Sequence, residues 1–434
     1  MTNPASTPRP DSCDPYGMDQ ADLLIIGVGA AGCAAALRAA DLGLQVIILT
    51  SSATPERGSN TSWAQGGIIY RGPDDQPALL AKDVHEAGCG ICSEEAVDLL
   101  ATRGPDIVRE LLIERCGVPF DQDPERGGLH FTEEAAHSRP RIIHVGDSTG
   151  KLIALHLIQA VEAHPRISLV RGAIAVDLLV RGLHSTDPTD VYHRPRCLGA
   201  YVFFPETNEV RPLLGRETIL ATGGLGQIFQ HTTNPKKSRG DGLAMAYRAG
   251  ARVINMEYVQ FHPTALFHRL APRFLLTEAM RGEGAHLVNR DGERFMERYH
   301  ALLELAPRDV VARSIHDEMM TRGEDCMYLD ITHRDADWIR GRFPVIYKTC
   351  LEYGIDITSQ PIPVVPAAHY SCGGVAVDLQ GRTNIIGLRA AGEVSCTGVH
   401  GANRLASTSL LAVSYTHLRA HETKANLVCR LLLE

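Results

Sequence analysis

The stretch Ala21-Asp-Leu-Leu-Ile-Ile-Gly-Val-Gly-Ala-Ala-Gly-Cys-Ala-Ala-Ala-Leu-Arg-Ala-Ala-Asp-Leu-Gly43 decides the fold of this chain. It begins as an apolar strand, turns at Gly27, Gly29 and Gly32, and continues as an alanine-rich helix that ends at a glycine. A second apolar strand follows at residues 45–49, which predicts a β-α-β unit. Glycines at G-x-G-x-x-G spacing between a strand and a helix let a diphosphate approach the amino end of that helix. We therefore predict a Rossmann-like α/β domain that binds a dinucleotide.

One part of the usual dinucleotide pattern is missing. The second strand ends in Leu49-Thr-Ser-Ser52, where an acidic side chain would normally bind the ribose hydroxyls. Hydroxyl groups, or a carboxylate from elsewhere such as Glu393, are the alternatives. This departure disfavours a plain NAD enzyme.

Length and composition exclude several classes of protein. The 434 residues suffice for two or more domains, and 43 basic against 51 acidic residues are interspersed, without the basic stripe of a nucleic-acid binder. The longest apolar run is short and contains glycines, so no membrane span is predicted. Residues 1–20, rich in proline and aspartate, predict a disordered tail rather than a secretory signal.

The cysteines indicate a reducing compartment. Eleven of them stand at irregular spacing, which is not typical of a disulfide scaffold, so we expect a cytoplasmic protein. Cys89 and Cys92 form a CxxC without a second pair at metal-binding distance. We interpret this CxxC as a loop that leads into a helix, and we predict no metal site.

Three further glycine-rich segments are expected to surround the ligand. Gly58-Ser-Asn-Thr-Ser-Trp-Ala-Gln-Gly-Gly67 is a polar loop with many backbone donors, and it predicts a second phosphate-and-ring cradle. Glu217-Thr-Ile-Leu-Ala-Thr-Gly-Gly-Leu-Gly226 repeats the strand-then-glycine pattern and predicts a strand that returns to the nucleotide. The third segment, Gly240-Asp-Gly-Leu-Ala-Met-Ala-Tyr-Arg-Ala-Gly250, predicts a helix with Asp241 in its first turn, where the carboxylate would either cap amides or hold a cofactor.

The composition changes near residue 256. Polar side chains now stand beside glycine or proline, as in Gln260-Phe-His-Pro-Thr264 and in Thr277-Glu-Ala-Met-Arg-Gly-Glu-Gly284. We predict an inserted α+β domain at 256–371 that covers the substrate, and a discontinuous nucleotide-binding domain made of 21–255 and 372–412.

The segments Pro366-Ala-Ala-His-Tyr-Ser-Cys-Gly-Gly374 and Ala390-Ala-Gly-Glu-Val-Ser-Cys-Thr-Gly-Val-His-Gly-Ala-Asn-Arg404 combine glycines with an imidazole, a carboxylate and a guanidinium. This combination predicts a buried anion-binding site at His369 and Arg404. Upstream, Thr132-Glu-Glu-Ala-Ala-His-Ser-Arg-Pro-Arg-Ile-Ile-His144 is a charged cluster of the kind that is usually a solvated face.

These motifs, with Ser62-Trp-Ala-Gln-Gly-Gly67, Ala306-Pro-Arg-Asp309 and His400-Gly-Ala-Asn-Arg404, resemble the L-aspartate oxidases of the succinate dehydrogenase and fumarate reductase flavoprotein superfamily, over residues 22–411. The resemblance implies FAD, bound without a covalent link because Asn60 stands where tethering relatives carry a histidine. The implied FAD contacts are Val28, Gly29, Ala30 and Ala31 at the diphosphate, Ser51 after the second strand, Asn60, Thr61, Ser62, Trp63, Ala64, Gln65, Gly66 and Gly67 around the flavin, and Asp241, Glu393, Ser409 and Leu410.

The reaction implied by the resemblance is oxidation of L-aspartate to iminoaspartate, with oxygen or fumarate as electron acceptor, in NAD biosynthesis through quinolinate. The implied substrate-binding residues are His262, Thr277, His369 and Arg404, and the implied catalytic residues are Arg308 and Glu134. Because a guanidinium is a poor base, we favour an orienting role for Arg308 over proton transfer. The alternative without a role in the site is that Arg308, which precedes a helix starting near Asp309, is a surface cation. Quinolinate synthase is a possible recipient of the product, and neither nucleic acid nor membrane is an expected partner.

Residues 413–434 do not resemble the family, which continues there into a helical domain. We interpret them as an unrelated tail on a C-terminally truncated chain. Two alternatives to an aspartate oxidase stay open. One is a soluble fumarate reductase or succinate dehydrogenase-like flavoprotein, which would use the same dicarboxylate-binding residues, and the other is an inactive flavoprotein that results from the truncation.

Overall fold

A computed structural model describes residues 20–125, 127–134 and 136–415. The tails predicted at 1–20 and 413–434 lie outside these residues, except that residue 20 begins a strand and residues 413–415 belong to a helix.

The strands are β1 Gln20–Ile26, β2 Val46–Thr50, β3 Ile68–Ile69, β4 Ile142–Ile143, β5 Ile167–Arg171, β6 Ile174–Arg181, β7 Arg196–Phe204, β8 Glu209–Leu220, β9 Val253–Ile254, β10 Val259–Leu266, β11 His286–Val288, β12 Met327–Asp330, β13 Ile362–Ser371, β14 Gly374–Ala376, β15 Leu388–Ala390 and β16 Ser395–Cys396. The α-helices are α1 Ala30–Asp41, α2 Asn60–Trp63, α3 Pro77–Ala87, α4 Glu94–Ile107, α5 Thr149–Ala163, α6 Asp241–Arg248, α7 Ala279–Gly282, α8 Arg308–Arg322, α9 Ala336–Arg342, α10 Pro344–Glu352 and α11 Thr408–Tyr415.

The largest sheet has the order β5-β2-β1-β8-β7-β6, and β15 also pairs with β8. The strands β5, β2, β1 and β8 run parallel, as a β-α-β unit requires, whereas β7 pairs antiparallel with β8, and β6 pairs antiparallel with β7. Alternate residues of β1 pack into two different cores, Leu23 and Ile25 into one, and Leu24 and Ile26 into the other. Because both faces of β1 are covered, it reads as an unbroken apolar run, and the predicted α/β fold class is confirmed.

The first glycines allow α1 to pack directly against the sheet. A Cβ atom on Gly27 would stand 2.2 Å from the carbonyl oxygen of Ala221, and one on Gly32 would stand 1.9 Å from the carbonyl oxygen of Gly27. The Ala221 carbonyl follows β8, so the predicted returning strand lies beside β1. The carboxyl ends of β1, β2 and β8 consequently face one crevice, which is where open α/β sheets bind ligands.

A separate four-stranded antiparallel sheet has the order β10-β13-β12-β11. It carries its own hydrophobic core, with Leu287, Phe295, Leu329 and Ile346 fully buried. These elements lie within the segment 256–371, and the domain boundaries themselves stay a prediction.

The loop with Cys89 and Cys92 joins α3 to α4, so the interpretation as a loop before a helix is confirmed. The part of the chain that the structure describes contains no cluster of three or more His, Cys, Asp and Glu side chains that could hold a metal ion. None of its helices is both long and apolar enough to span a bilayer.

Candidate active site

A cavity of about 540 Å³ lies between the carboxyl ends of β1, β2 and β8 and the four-stranded domain. Every residue that the sequence analysis assigned to the site lines this cavity, from Val28 at one end to Arg308 at the other. A volume of this size is typical of ligand and cofactor sites.

The glycine end of the cavity fits a diphosphate. Helix α1 begins after Gly29, which has no side chain to cap it, and its first turn contains no acidic residue. The N–H of Ala30 donates to Thr61 Oγ1 at 3.1 Å, and the positive end is otherwise available to an anion. A Cβ atom on Gly29 would meet only the Thr61 hydroxyl, at 3.6 Å, so the protein itself does not crowd this position. The space beside Gly29 belongs to the cavity, as a bound phosphate requires.

The polar loop 58–67 forms the next part of the wall, and its short helix α2 begins at Asn60. The Asn60 amide donates to Glu393 Oε2 at 2.6 Å and accepts from Ser238 Oγ at 2.7 Å. Two buried acceptors on the wall, Gln65 Oε1 and Thr222 Oγ1, have no partner among the described residues. The wall therefore offers hydrogen-bonding atoms to a ligand in the cavity.

Two of the implied cofactor contacts, Glu393 and Asp241, are already hydrogen-bonded to other residues of the protein. Glu393, proposed as one alternative for the ribose, is held by Asn60 and by the backbone N–H of Ser371 at 3.0 Å, and burial raises the pKa of its carboxyl. Asp241 opens α6 and accepts a hydrogen bond from Arg239 at 2.9 Å. Both side chains still line the cavity.

At the other end, two imidazoles meet edge to face, with the ring centroids of His262 and His369 5.3 Å apart. The backbone N–H of Thr264 donates to His262 Nδ1 at 3.3 Å, so a neutral His262 carries its proton on Nε2. His369 Nδ1 lies 2.7 Å from Thr233 Oγ1. Burial lowers the pKa of both rings well below 6.5, so both are neutral hydrogen-bonding groups at neutral pH.

Arg404 is a buried cation on the same wall. Its Nη2 donates to Gln260 Oε1 at 3.0 Å, and its guanidinium lies over the Tyr370 ring at 4.7 Å. Its Nε is buried and has no partner among the described residues. Burial lowers the pKa of Arg404 to about 10, so the group is still charged at neutral pH and has a free donor.

Arg308, the first residue of α8, lines the same cavity. Its Nε donates to Glu278 Oε2 at 2.5 Å, and Arg281 Nη2 donates to Glu278 Oε1 at 2.8 Å, which forms a buried Arg-Glu-Arg chain. Burial raises the pKa of Glu278, but the two guanidiniums outweigh it and lower the pKa below its ordinary value. The reading of Arg308 as a surface cation is wrong, and its buried Nη1 has no partner among the described residues.

Sequence reasoning did not single out Glu278 or Arg281. Both lie inside the quoted segment 277–284, but the pairing of Glu278 with Arg308 joins positions thirty residues apart. No spacing pattern in the sequence gave a signal for that contact.

Glu134 also faces the cavity, as the resemblance implied. Its Oε2 accepts from Ser407 Oγ at 2.8 Å. Burial raises the pKa of Glu134, although Arg308 opposes the shift. The interpretation of 132–144 as a solvated face is wrong for His137 and Arg141, which are buried because they pair with groups of other segments, and right for Glu133 and Arg139, which are exposed.

The comparisons with known proteins agree with this geometry. A family model described as FAD binding domain matches residues 22–410. The chain is 47% identical over 392 residues to L-aspartate oxidase 1 from Ralstonia nicotianae, covering 90% of this chain and 72% of that protein. It is 47% identical over 394 residues to an L-aspartate oxidase from Yersinia pestis, with the same coverage. Among solved structures, a quinol fumarate reductase from E. coli superimposes with a TM-score of 0.83 at 29% identity, covering 94% of this chain and 71% of that one.

Proposed function

Because the chain belongs to the L-aspartate oxidase family of FAD-binding flavoproteins, we propose that its cavity holds FAD beside L-aspartate and oxidises the substrate to iminoaspartate. One observation carries this proposal. Two buried guanidinium N–H groups without a partner among the described residues, Arg308 Nη1 and Arg404 Nε, line the same cavity as the glycine-lined end of α1. Such donors are expected where a ligand carboxylate completes the hydrogen bonding.

The cofactor would be held by backbone and small polar groups. Gly29 and the amino end of α1 would bind the diphosphate, the loop 58–67 and Glu393 would bind the remainder, and α11 would direct its positive end at the ring through Ser409 and Leu410. The binding is non-covalent in this proposal, because the amide of Asn60 occupies the position of the tethering histidine. When bound, FAD supplies the two-electron acceptor for the oxidation.

The substrate carboxylates would be bound by the two arginines, with neutral donors from His262 and His369 and the hydroxyl of Thr277. Glu278 holds Arg308 in place and neutralises part of its charge. In the reduction of fumarate, Arg308 would donate a proton to the substrate and regain one from Arg281 through Glu278, since each is hydrogen-bonded to the next. In the oxidation of L-aspartate, the guanidinium would only orient the substrate, because a charged guanidinium donates protons and does not accept them.

Glu134 would handle the amino group. Loss of a hydride from Cα requires a neutral amine, so one proton must first leave the ammonium group of the substrate. The raised pKa of Glu134 brings its carboxylate closer in basicity to that amine, which suits it as the acceptor. The remaining steps are departure of the Cα hydride with its electron pair and formation of the C=N bond.

We place the product in the pathway that the family serves, towards quinolinate and NAD, with quinolinate synthase as the candidate recipient and oxygen or fumarate as the electron acceptor. The nine cysteines of the described residues are free thiols, which suits the reducing cytoplasm proposed for this protein.

The absorbance spectrum of the purified protein tests the function. We expect a yellow flavin chromophore that L-aspartate bleaches under anaerobic conditions and that succinate does not bleach. An Arg308→Leu variant should retain the chromophore but lose the bleaching. Absence of bound FAD would contradict the cofactor assignment, and bleaching by succinate alone would identify a succinate dehydrogenase-like enzyme instead.

A further inference from the structure

The loop that carries Glu134 is held by a group of hydrogen-bonded side chains that is centred on the buried Arg141. We propose that His137 and Arg141 are positioning residues that aim Glu134 at the substrate amine, and so set the preference for L-aspartate over dicarboxylates that lack an amino group. This inference rests on the proposed role of Glu134.

The cluster is anchored by Arg141, whose side chain is completely buried. Its Nε and Nη2 donate to the two oxygens of Asp75, each at 2.9 Å, and its Nη1 donates to Asp83. The carboxylate of Asp83 also accepts from the backbone N–H and the hydroxyl of Ser138. Two carboxylates from outside the loop therefore hold the guanidinium in one orientation.

Arg141 in turn fixes the tautomer of His137. Its Nη1 lies 3.2 Å from His137 Nδ1, and because a guanidinium only donates, that ring nitrogen is the acceptor. The proton of the neutral ring is then on Nε2, which donates to the carbonyl oxygen of Ala406 at 3.1 Å. Burial lowers the pKa of His137 to about 4, so the ring stays neutral and keeps this arrangement.

The bonds of His137 reach Glu134 from two sides. The backbone N–H of His137 donates to the backbone carbonyl of Glu134 at 3.2 Å. The Ala406 carbonyl belongs to the residue before Ser407, whose hydroxyl donates to the Glu134 carboxylate. His137 thus connects the loop of Glu134 to the residue that orients the Glu134 side chain.

The loop of Glu134 and the segment that contains Ser407 each include one residue with a strained backbone conformation. Ala136 has φ +65° and Ser407 has φ +55°, a left-handed conformation that residues with a side chain rarely adopt. Such a conformation persists only where surrounding contacts impose it, and it is common next to functional groups. The Arg141 cluster supplies those contacts, and neither Arg141 nor His137 lines the cavity.

A His137→Ala substitution in the full FAD-loaded chain tests the proposal. We expect kcat/KM for L-aspartate oxidation to fall about 10- to 100-fold, as for a catalytic group displaced by a fraction of an ångström to about 1 Å. Fumarate reduction by a reduced viologen dye needs no amine recognition, so it should change less than about threefold, as should the Kd of succinate. His156→Ala is the matched control, because it also removes a ring contact to a backbone carbonyl, that of Cys116 at 2.8 Å, but lies outside the cavity wall.

His137→Asn provides a second route if the alanine variant does not fold. Its amide can still accept from Arg141, but its shorter side chain does not reach Ala406, so the same selective loss is expected. Equal loss of aspartate oxidation and fumarate reduction in a folded variant, or no loss in either reaction, would overturn the positioning role. A wild-type protein that reduces fumarate but does not oxidise L-aspartate would instead refute the proposed function.

Discussion

Replacement of Arg404 by methionine removes one buried charge from the cavity and leaves most of the packing in place. The Arg404 side chain is 3% exposed, lies over the Tyr370 ring at 4.7 Å and donates to Gln260. Methionine keeps an unbranched apolar stem over the ring, so the fold should tolerate the change better than it would an alanine. The variant loses the hydrogen bond to Gln260 and also the donor at Nε, which has no partner among the described residues and which we assign to a substrate carboxylate.

The expected magnitude follows from the burial of this group. Removing one partner of a buried, hydrogen-bonded charge pair costs about 2–5 kcal/mol of binding free energy. At about 1.4 kcal/mol for each factor of ten, the Kd of a dicarboxylate should rise by about 30-fold at the lower limit and about 4,000-fold at the upper limit. Because Arg308 and the two imidazoles remain in Arg404→Met, the lower part of this range is expected.

The measurement is an anaerobic titration of the FAD-loaded protein with succinate, followed by the change in flavin absorbance. Arg334→Met is the matched control, since Arg334 also lies over an aromatic ring, that of Trp338 at 5.3 Å, but is exposed and does not line the cavity. A variant of Arg404 that retains its FAD and binds succinate with a Kd within threefold of the wild type would refute the assignment of Arg404 to the carboxylate.

Three other outcomes are expected. Glu278→Gln should lower kcat for L-aspartate about 100-fold while the chain still binds succinate, because it removes the carboxylate that holds Arg308 in its orientation; an unchanged kcat would show that Glu278 does not orient Arg308 for the reaction. Gly29→Ala should leave the melting temperature of the FAD-free protein nearly unchanged but weaken FAD binding about tenfold or more. Gly27→Ala should unfold the domain, because Gly27 has φ +113° and a Cβ atom there would lie 2.2 Å from a carbonyl oxygen. Equal effects of the two substitutions would contradict the diphosphate site. The Kd of succinate should rise tenfold per pH unit above about 10, where free Arg404 loses its proton. A transition near pH 6.5 would instead show that a histidine of the cavity titrates there.

The nucleotide-binding half of the fold was accessible from the sequence because its signals are local. The apolar strand, the three glycines and the helix of residues 21–43 are consecutive, and each glycine spacing corresponds to a backbone contact such as that between Gly27 and Ala221. The orientation of individual side chains in the site could not be predicted in this way. The resemblance placed Glu134 at the site, but the sequence alone assigned its neighbourhood to a solvated face.

The reason is that the decisive contacts are distant along the chain. Arg141 is buried because Asp75 and Asp83 pair with it from 66 and 58 positions away, and nothing within 132–144 announces those partners. The pairing of Arg308 with Glu278 is of the same kind. Charged residues that look solvated by local composition become buried when a distant opposite charge compensates them, and only the folded arrangement reveals the pairing.

The charges around the cavity also give a physical reason for the substrate. Arg308, Arg281 and Arg404 bring three positive charges, and Glu278, whose pKa is lowered, brings one negative charge. The histidines are neutral, and burial raises the pKa of both Glu134 and Glu393, which favours their uncharged forms. In those forms the wall would carry an excess of positive charge that a dicarboxylate would balance. A dicarboxylate without an amine brings no ammonium group to Glu134, and burial then favours the neutral form of that carboxyl. The ammonium group of L-aspartate would favour the carboxylate form instead, so the substrate itself would prepare Glu134 to accept the proton that the oxidation must release.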